Sequence, residues 1–150
     1  MSNPPSNALL IDRFWESVPP AWRQTRTQIR HIAVEKFQMS EEQFQVLRRI
    51  RRGSASVSAL AEAGQISRSA VSKAVETLVQ RGLVTRSHDP QDRRNLPLAL
   101  TDEGQRVMEA IFGEAELWLD ARFARLTPEE TESFLLGLEV LHKTFSNSLP

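Results

Sequence analysis

The sequence predicts a mainly α-helical fold, organised around a helix-turn-helix that runs directly into a two-stranded β hairpin, with long helices at both ends of the chain. Three observations carry this. Val71, Ala74, Val75 and Leu78 repeat at i, i+3, i+4 and i+7, the spacing of a single buried stripe on a helix. Shortly after, the period changes to two: Leu96, Leu98 and Leu100 alternate behind an Asp89-Pro90 turn signal. Apolar residues at helical spacing precede this centre from Ala8 and follow it from Thr101.

Taken in order, residues 1–7 (MSNPPSN) are expected to be disordered. A helix carrying Leu10, Phe14, Trp15 and Val18 follows and is expected to break at Pro19-Pro20, since proline lacks an amide hydrogen and crowds the preceding turn. A second helix restarts near Ala21, with Trp22, Thr25, Ile29 and Ile32 spaced for packing against another helix. Ser40 and Gln43 form a capping-box pattern for the next helix, which turns Phe44, Leu47 and Ile50 inward and ends at Gly53.

Ser56 caps a short helix in VSALAEAGQ (Val57 to Gln65), whose Val57, Leu60 and Ala61 face inward. Ala63-Gly64 supplies a tight turn where a larger side chain would obstruct the crossing of two helices. Ser67 caps the second helix of the pair. Gly82 closes it in a left-handed conformation, with Arg81 near the negative end of the dipole. The face opposite the apolar stripe holds Ser69, Ser72, Lys73, Glu76 and Gln80. Short hydroxyls and an amine suit base edges and phosphates in a major groove better than the Glu- and Lys-rich face of a merely solvated helix.

Leu83 to His88 and Asn95 to Leu100 read as the strands of the hairpin, and DPQDRRN as its tip. Arg93 and Arg94 at such a tip suit a nucleic-acid backbone or a narrow minor groove, where the potential is most negative. Asp92 can brace the loop through Arg94. Beyond the hairpin, Thr101 caps a helix expected to reach Arg125, with a broad apolar face from Val107 to Phe123. Thr127-Pro128-Glu129-Glu130 starts a last helix lined by Phe134, Leu138, Leu141 and Phe145.

Composition narrows the function. The formal charge is zero, yet residues 47–96 hold ten Lys/Arg against four Asp/Glu and residues 97–150 hold four against ten. The basic middle can attract phosphate while the acidic end stays away from it. Arg48, Arg49, Arg51 and Arg52 belong to this middle, as a solvated helix end or as phosphate contacts. The chain has no cysteine, which excludes disulfides, cysteine-zinc sites and thiol catalysis. No apolar run approaches the roughly 20 residues of a membrane span, and no signal-peptide pattern opens the chain, so a cytoplasmic protein is expected. His31 and Glu35 stand at i, i+4 and His142 could join them across a dimer, but isolated histidines more often have no metal role. Glu129 and Glu130 are explained by their place in a first helical turn. No phosphate loop or nucleophile-base motif is present, so neither an enzyme nor a cofactor is expected.

The run from Leu60 to Gly104 resembles the MarR family of winged helix-turn-helix transcriptional regulators. The resemblance rests on SALAEAGQISRSAVSKAVETLVQRGLV for the paired helices, DPQDRR for the wing and LALTDEG for the return into a helix. The family's Asp-x-Arg element falls on Asp92 and Arg94, and its Leu-Thr-x-x-Gly element on Leu100, Thr101 and Gly104. Weaker similarity in the order of helices extends from about Ala21 to Phe145. Pro97 departs from an ordinary wing strand, because it removes a ladder donor.

The resemblance implies a homodimer held by a helical region of residues 8–39 and 102–147, around a DNA-binding domain of residues 40–101. Folding back of the terminal helices to complete a monomer core is the plainer alternative. Contacts to double-stranded DNA are expected from Arg68, Ser69, Ser72, Lys73, Arg93 and Arg94. A repressor on a palindromic operator, released by a small aromatic or anionic effector, is further implied, with Trp15, Trp22 and Phe44 as candidate pocket walls. Two other functions fit the same residues: a winged-helix protein-interaction module, and an architectural DNA binder without sequence preference.

Overall fold

In the computed structural model the described residues are 7–53, 56–86 and 97–146. Among them the chain runs α1 (Asn7–Phe37), α2 (Glu41–Arg51), α3 (Val57–Gly64), α4 (Arg68–Gln80), β1 (Val84–Arg86), β2 (Leu98–Leu100), α5 (Asp102–Phe123) and α6 (Pro128–Ser146). The strands pair antiparallel, with Val84 opposite Leu100 and Arg86 opposite Leu98. The mainly α fold with a two-stranded wing sheet is therefore present. Two compact units divide within α5, one up to Ala115 and one from Glu116.

The first unit is built around α2, which packs against α1, α3, α4 and β2. Its Phe44, Val46, Leu47 and Ile50 meet Val71, Ala74, Val75 and Leu78 of α4, with Leu60 of α3 and Met108 and Ile111 of α5 closing the same core. The apolar stripe of α4 is thus the buried one. Truncating a core residue such as Leu78 removes about 2–5 kcal/mol of packing and transfer free energy. Polar ties fasten the periphery: Arg30 of α1 pairs with Glu41 of α2 at 2.7 Å, Lys36 of α1 pairs with Glu114 of α5, and Arg51 lies over the Phe112 ring at 5.0 Å.

Local capping follows the sequence closely. Ser40 and Gln43 complete a capping box, and the Ser56 and Ser67 hydroxyls accept the amides of Ala59 and Ala70. Each such cap is worth about 1 kcal/mol. The start of α2 also favours charge: the Glu42 backbone amide and then the Ser40 hydroxyl donate to the Glu42 carboxyl and hold it below its usual pKa.

Several expectations need correction. Helix α1 does not break at Pro19-Pro20 but continues through both. Proline's φ is itself helical, and the carbonyls robbed of donors, those of Trp15 and Glu16, belong to exposed residues that water can serve. The helix begins at Asn7; the remainder of the segment expected to be disordered lies outside the described residues. Gly64 stays helical, and the left-handed residue ending α3 is Gln65, at φ 51°. The expectation that Gly64 is needed for room holds: a Cβ there would fall on the Arg49 guanidinium and the Ile66 side chain.

Strand β1 starts one residue later than expected, because the Leu83 amide returns to the Leu78 carbonyl at 2.9 Å and so closes α4 rather than joining the ladder. Leu98 is buried and Leu100 half-buried, whereas Leu96 lies outside the described residues. Helix α5 ends at Phe123, not Arg125.

The turn out of α4 and the turn into α5 lock together. Gly82 has φ +69°. The Thr101 hydroxyl donates to the Gly82 carbonyl at 2.6 Å and accepts the Gly104 amide at 3.0 Å, while the Thr101 amide donates to the Leu83 carbonyl at 3.1 Å. A Cβ on Gly104 would strike that same Leu83 carbonyl, which is backbone and cannot swing aside.

In the second unit, Thr127 and Glu130 form a capping box that starts α6, and Phe123 and Phe134 meet at 5.6 Å between ring centroids. Helix α6 has no buried residue; Phe134, Leu135, Leu136, Leu138, Val140 and Phe145 are all exposed. So are Leu9, Leu10, Ile11, Trp15 and Trp22 on α1.

Gly104→Ala is expected to lower stability by about 1–3 kcal/mol. Gly113→Ala, whose added methyl enters open space on the same helix, should be neutral or stabilise by up to about 1 kcal/mol. Urea midpoints of the two variants check this, and equal midpoints would refute the backbone clash.

Candidate nucleic-acid interface

Burial of Val71, Ala74, Val75 and Leu78 forces the opposite face of α4 outward. Arg68, Ser69, Ser72, Lys73, Glu76 and Gln80 are all exposed, so the four candidates on this helix share one end of one bare surface. The Ser69 hydroxyl lies 3.1 Å from that of Ser67, and Arg68 donates to the Ser58 hydroxyl of α3. That bond holds the guanidinium beside the N-terminus of α4 and leaves its other donors for an anion. Ser72 and Lys73 make no side-chain bond among the described residues, and both are exposed, so their donors are open to an external acceptor.

The strand pair behind α4 carries Arg86, Thr85 and Ala99 on exposed positions. Asp92, Arg93 and Arg94 lie outside the described residues, between the two strands.

The arginines of α2 were ambiguous in sequence, and the structure separates them. Arg49 donates to the Leu60 carbonyl of α3 at 3.1 Å, and Arg51 is stacked on Phe112. Arg48 donates to Gln45 at 3.0 Å while its Nε is buried without a hydrogen-bond partner. Burial pushes the Arg48 pKa below its usual value, and repulsion from Arg52, Arg26, Arg49 and Arg30 adds to this. Arg52 is exposed at the end of the helix.

Sequence reasoning missed Ser58, because its value lies in meeting Arg68 across the turn. It also missed the full role of Arg81. The guanidinium of Arg81 donates to the carbonyls of Phe37 and Gln38, so the cation expected to serve the end of α4 also serves the end of α1.

The remaining candidates are not gathered into one place. Phe44 is a core residue, whereas Trp15 and Trp22 stand exposed two turns apart on α1, Trp22 with Arg26 at 6.0 Å from its ring. His31 pairs with Glu35 at 3.3 Å, and His142 lies 3.1 Å from the Ser146 hydroxyl. Among the described residues no group of three or more His, Cys, Asp or Glu side chains could hold a metal ion.

A capped helix pair with one bare polar face, followed by a two-stranded sheet that returns into a helix, defines a winged helix-turn-helix protein. The family model described as MarR family matches residues 39–96. The uncharacterized HTH-type transcriptional regulator YfiV of Bacillus subtilis is 30% identical over 114 residues, covering 75% of this chain and 71% of that protein. The HTH-type transcriptional repressor MdtR of the same organism is 33% identical over 99 residues, 65% of this chain and 64% of its own length. Among solved structures, the transcriptional regulator Tm0710 from Thermotoga maritima aligns with a TM-score of 0.79 at 24% identity, over 91% of this chain and 99% of that one. A mutant of S. aureus MepR bound to an oligodeoxyribonucleotide aligns at 0.67 and 19% identity, over 87% and 96% of the two chains. The chain belongs to the MarR family. Its members are winged-helix regulators of transcription that bind DNA, and are not enzymes.

The internal use of Arg49 has a measurable consequence. Arg49→Ala is expected to cost about 1–2 kcal/mol by removing the charged donor that ties α2 to the Leu60 carbonyl, while Arg52→Ala stays within about 0.5 kcal/mol of the parent. Thermal midpoints of the two variants decide this; if both are unchanged, Arg49 is not a structural anchor.

Proposed function

We propose that this protein is a repressor that binds a palindromic operator as a homodimer and is released from it by a small aromatic or anionic effector. The observation that carries the DNA contact is the bare polar face of α4, directly opposite its buried stripe. Ser69, Ser72 and Lys73 enter the major groove, Arg68 takes a phosphate, and Arg93 and Arg94 reach the minor groove with Asp92 as brace.

Dimerisation is supported by the exposed apolar residues of α1 and α6, which a soluble chain would cover with a second copy. Two-fold symmetry then sets two reading helices about one DNA turn, roughly 34 Å, apart. Trp15 and Trp22, the latter beside Arg26, offer aromatic faces and a cation to an effector, and Phe44 would join them only through a rearrangement that opens the core. Such a ligand acts only to the extent that it binds one placement of the reading heads better than the other. No described helix is long and apolar enough to cross a membrane, and action on DNA in the cytoplasm fits the proposal.

Selection from a randomised duplex pool near physiological salt is expected to recover a palindrome with half-sites about 10 base pairs apart. Enrichment of no sequence, with binding abolished by modest salt, would instead favour the architectural binder; absence of binding altogether would favour the protein-interaction module. On the recovered operator, Arg94→Ala should weaken binding and reduce the slope of log affinity against log salt by about 2, roughly 1 for each protomer. An unchanged slope would refute the wing contact. Leu138→Glu should convert the dimer to a monomer in sedimentation and weaken operator binding by at least about 100-fold, as half the contacts are lost; a dimer that persists would move the interface away from α6.

A further inference from the structure

Helices α1 and α4 are joined by a polar bridge that spans more than forty residues of sequence. Arg81 closes α4 as its C-cap, with its own amide bonded to the Thr77 carbonyl at 3.0 Å. From there its side chain reaches the other way. Nη2 donates to the Phe37 carbonyl at 2.9 Å and Nη1 to the Gln38 carbonyl at 3.2 Å. A planar fork on two successive carbonyls fixes direction as well as distance, which a single donor would not.

The place it grips is the hinge between α1 and the reading unit. Only residues 38–40 separate α1 from α2. Gln38 there is left-handed at φ 52°, a conformation a non-glycine residue adopts at a cost, and Met39 is buried with its amide returned to the Ala33 carbonyl at 3.2 Å. The two carbonyls are the unsatisfied end of a 31-residue helix, where a cation is favoured. Packing links α1 to α2 and α2 to α4; Arg81 adds a direct link from the end of the reading helix to the end of α1. Arg81 is itself exposed, so water competes for the bridge and its share of global stability is small.

We infer that Arg81 is a positioning residue: by clamping the end of α4 to the hinge of α1 it sets the angle of the reading helix to the dimer scaffold, and so determines which half-site separation the protein accepts. This rests on the homodimeric operator-binding function proposed above, with α1 as part of the scaffold.

The test uses the full chain and the operator recovered by selection. Affinity is measured for that operator, for duplexes whose half-site separation is one base pair longer or shorter, and for an isolated half-site, with the parent, Arg81→Gln and Arg81→Lys. The parent is expected to lose at least roughly tenfold on a change of one base pair. Arg81→Gln should flatten that loss to within about threefold while half-site affinity and thermal midpoint stay at parental values, and Arg81→Lys, which keeps the cation but not the planar fork, should recover only part of the selectivity. Parental spacing selectivity in Arg81→Gln overturns the inference and leaves the proposed function standing. Loss of half-site affinity in Arg81→Gln also overturns it, because the damage would then be local to α4. A parent indifferent to spacing removes the rigid dimer itself, and the inference with it.

Discussion

Two backbone carbonyls, those of Gly82 and Leu83, receive the hydroxyl and the amide of Thr101, and Gly104 lies against the second of them with no side chain between. At this crossing the chain leaving α4 meets the chain entering α5. The end of the reading helix, the start of β1, the end of β2 and the first turn of α5 are fixed by one residue and one missing methyl. A groove-reading helix is useful only when its neighbouring strand arm keeps a constant angle to it, because base contacts tolerate little displacement. The Leu-Thr-x-x-Gly run therefore sets the geometry between the end of α4 and the strand pair through its contacts with the backbone of Gly82 and Leu83.

Around that crossing the same residue type serves opposite ends according to its surroundings. Arg49 and Arg51 lie within one turn of each other on α2, yet one satisfies a carbonyl of α3 and the other covers an aromatic ring of α5. Arg68, on α4, is propped by a neutral hydroxyl that takes one donor and none of the charge. A basic stretch counted by charge alone is thus a mixture of internal fasteners and outward-facing cations. Charge polarity along the chain identifies the region, and partners identify the contacts.

Features whose cause lies within one turn of helix were legible before any coordinates. The caps at Ser40, Ser56, Ser67, Thr101 and Thr127, the stripe from Val71 to Leu78, and the left-handed Gly82 each depend on neighbours three or four residues away. What escaped depends on residues far apart in sequence or on solvent. Leu83 looked like the first residue of a strand, but its amide had a nearer use in closing α4. The need for a small residue at Gly64 was legible, but the neighbours that impose it, Arg49 and Ile66, and the left-handed turn at Gln65 were not. Pro19-Pro20 looked like a break, but exposed carbonyls can exchange a helical donor for water. The candidate reading face was legible because burial of one side of α4 determines the other. The pairings of Arg68 and Arg81 were not, because no periodicity encodes them.

Helix α6 offers nineteen residues and buries none of them. Short helices owe most of their persistence in water to tertiary packing rather than to propensity, so α6 takes its order from whatever covers it. Occupancy of that cover obeys mass action. Freshly synthesised chains at low abundance would spend more time with α6 frayed and open to proteases than chains that have accumulated. Where the cover is the second copy proposed above, order in α6 and association of the chain rise together with concentration.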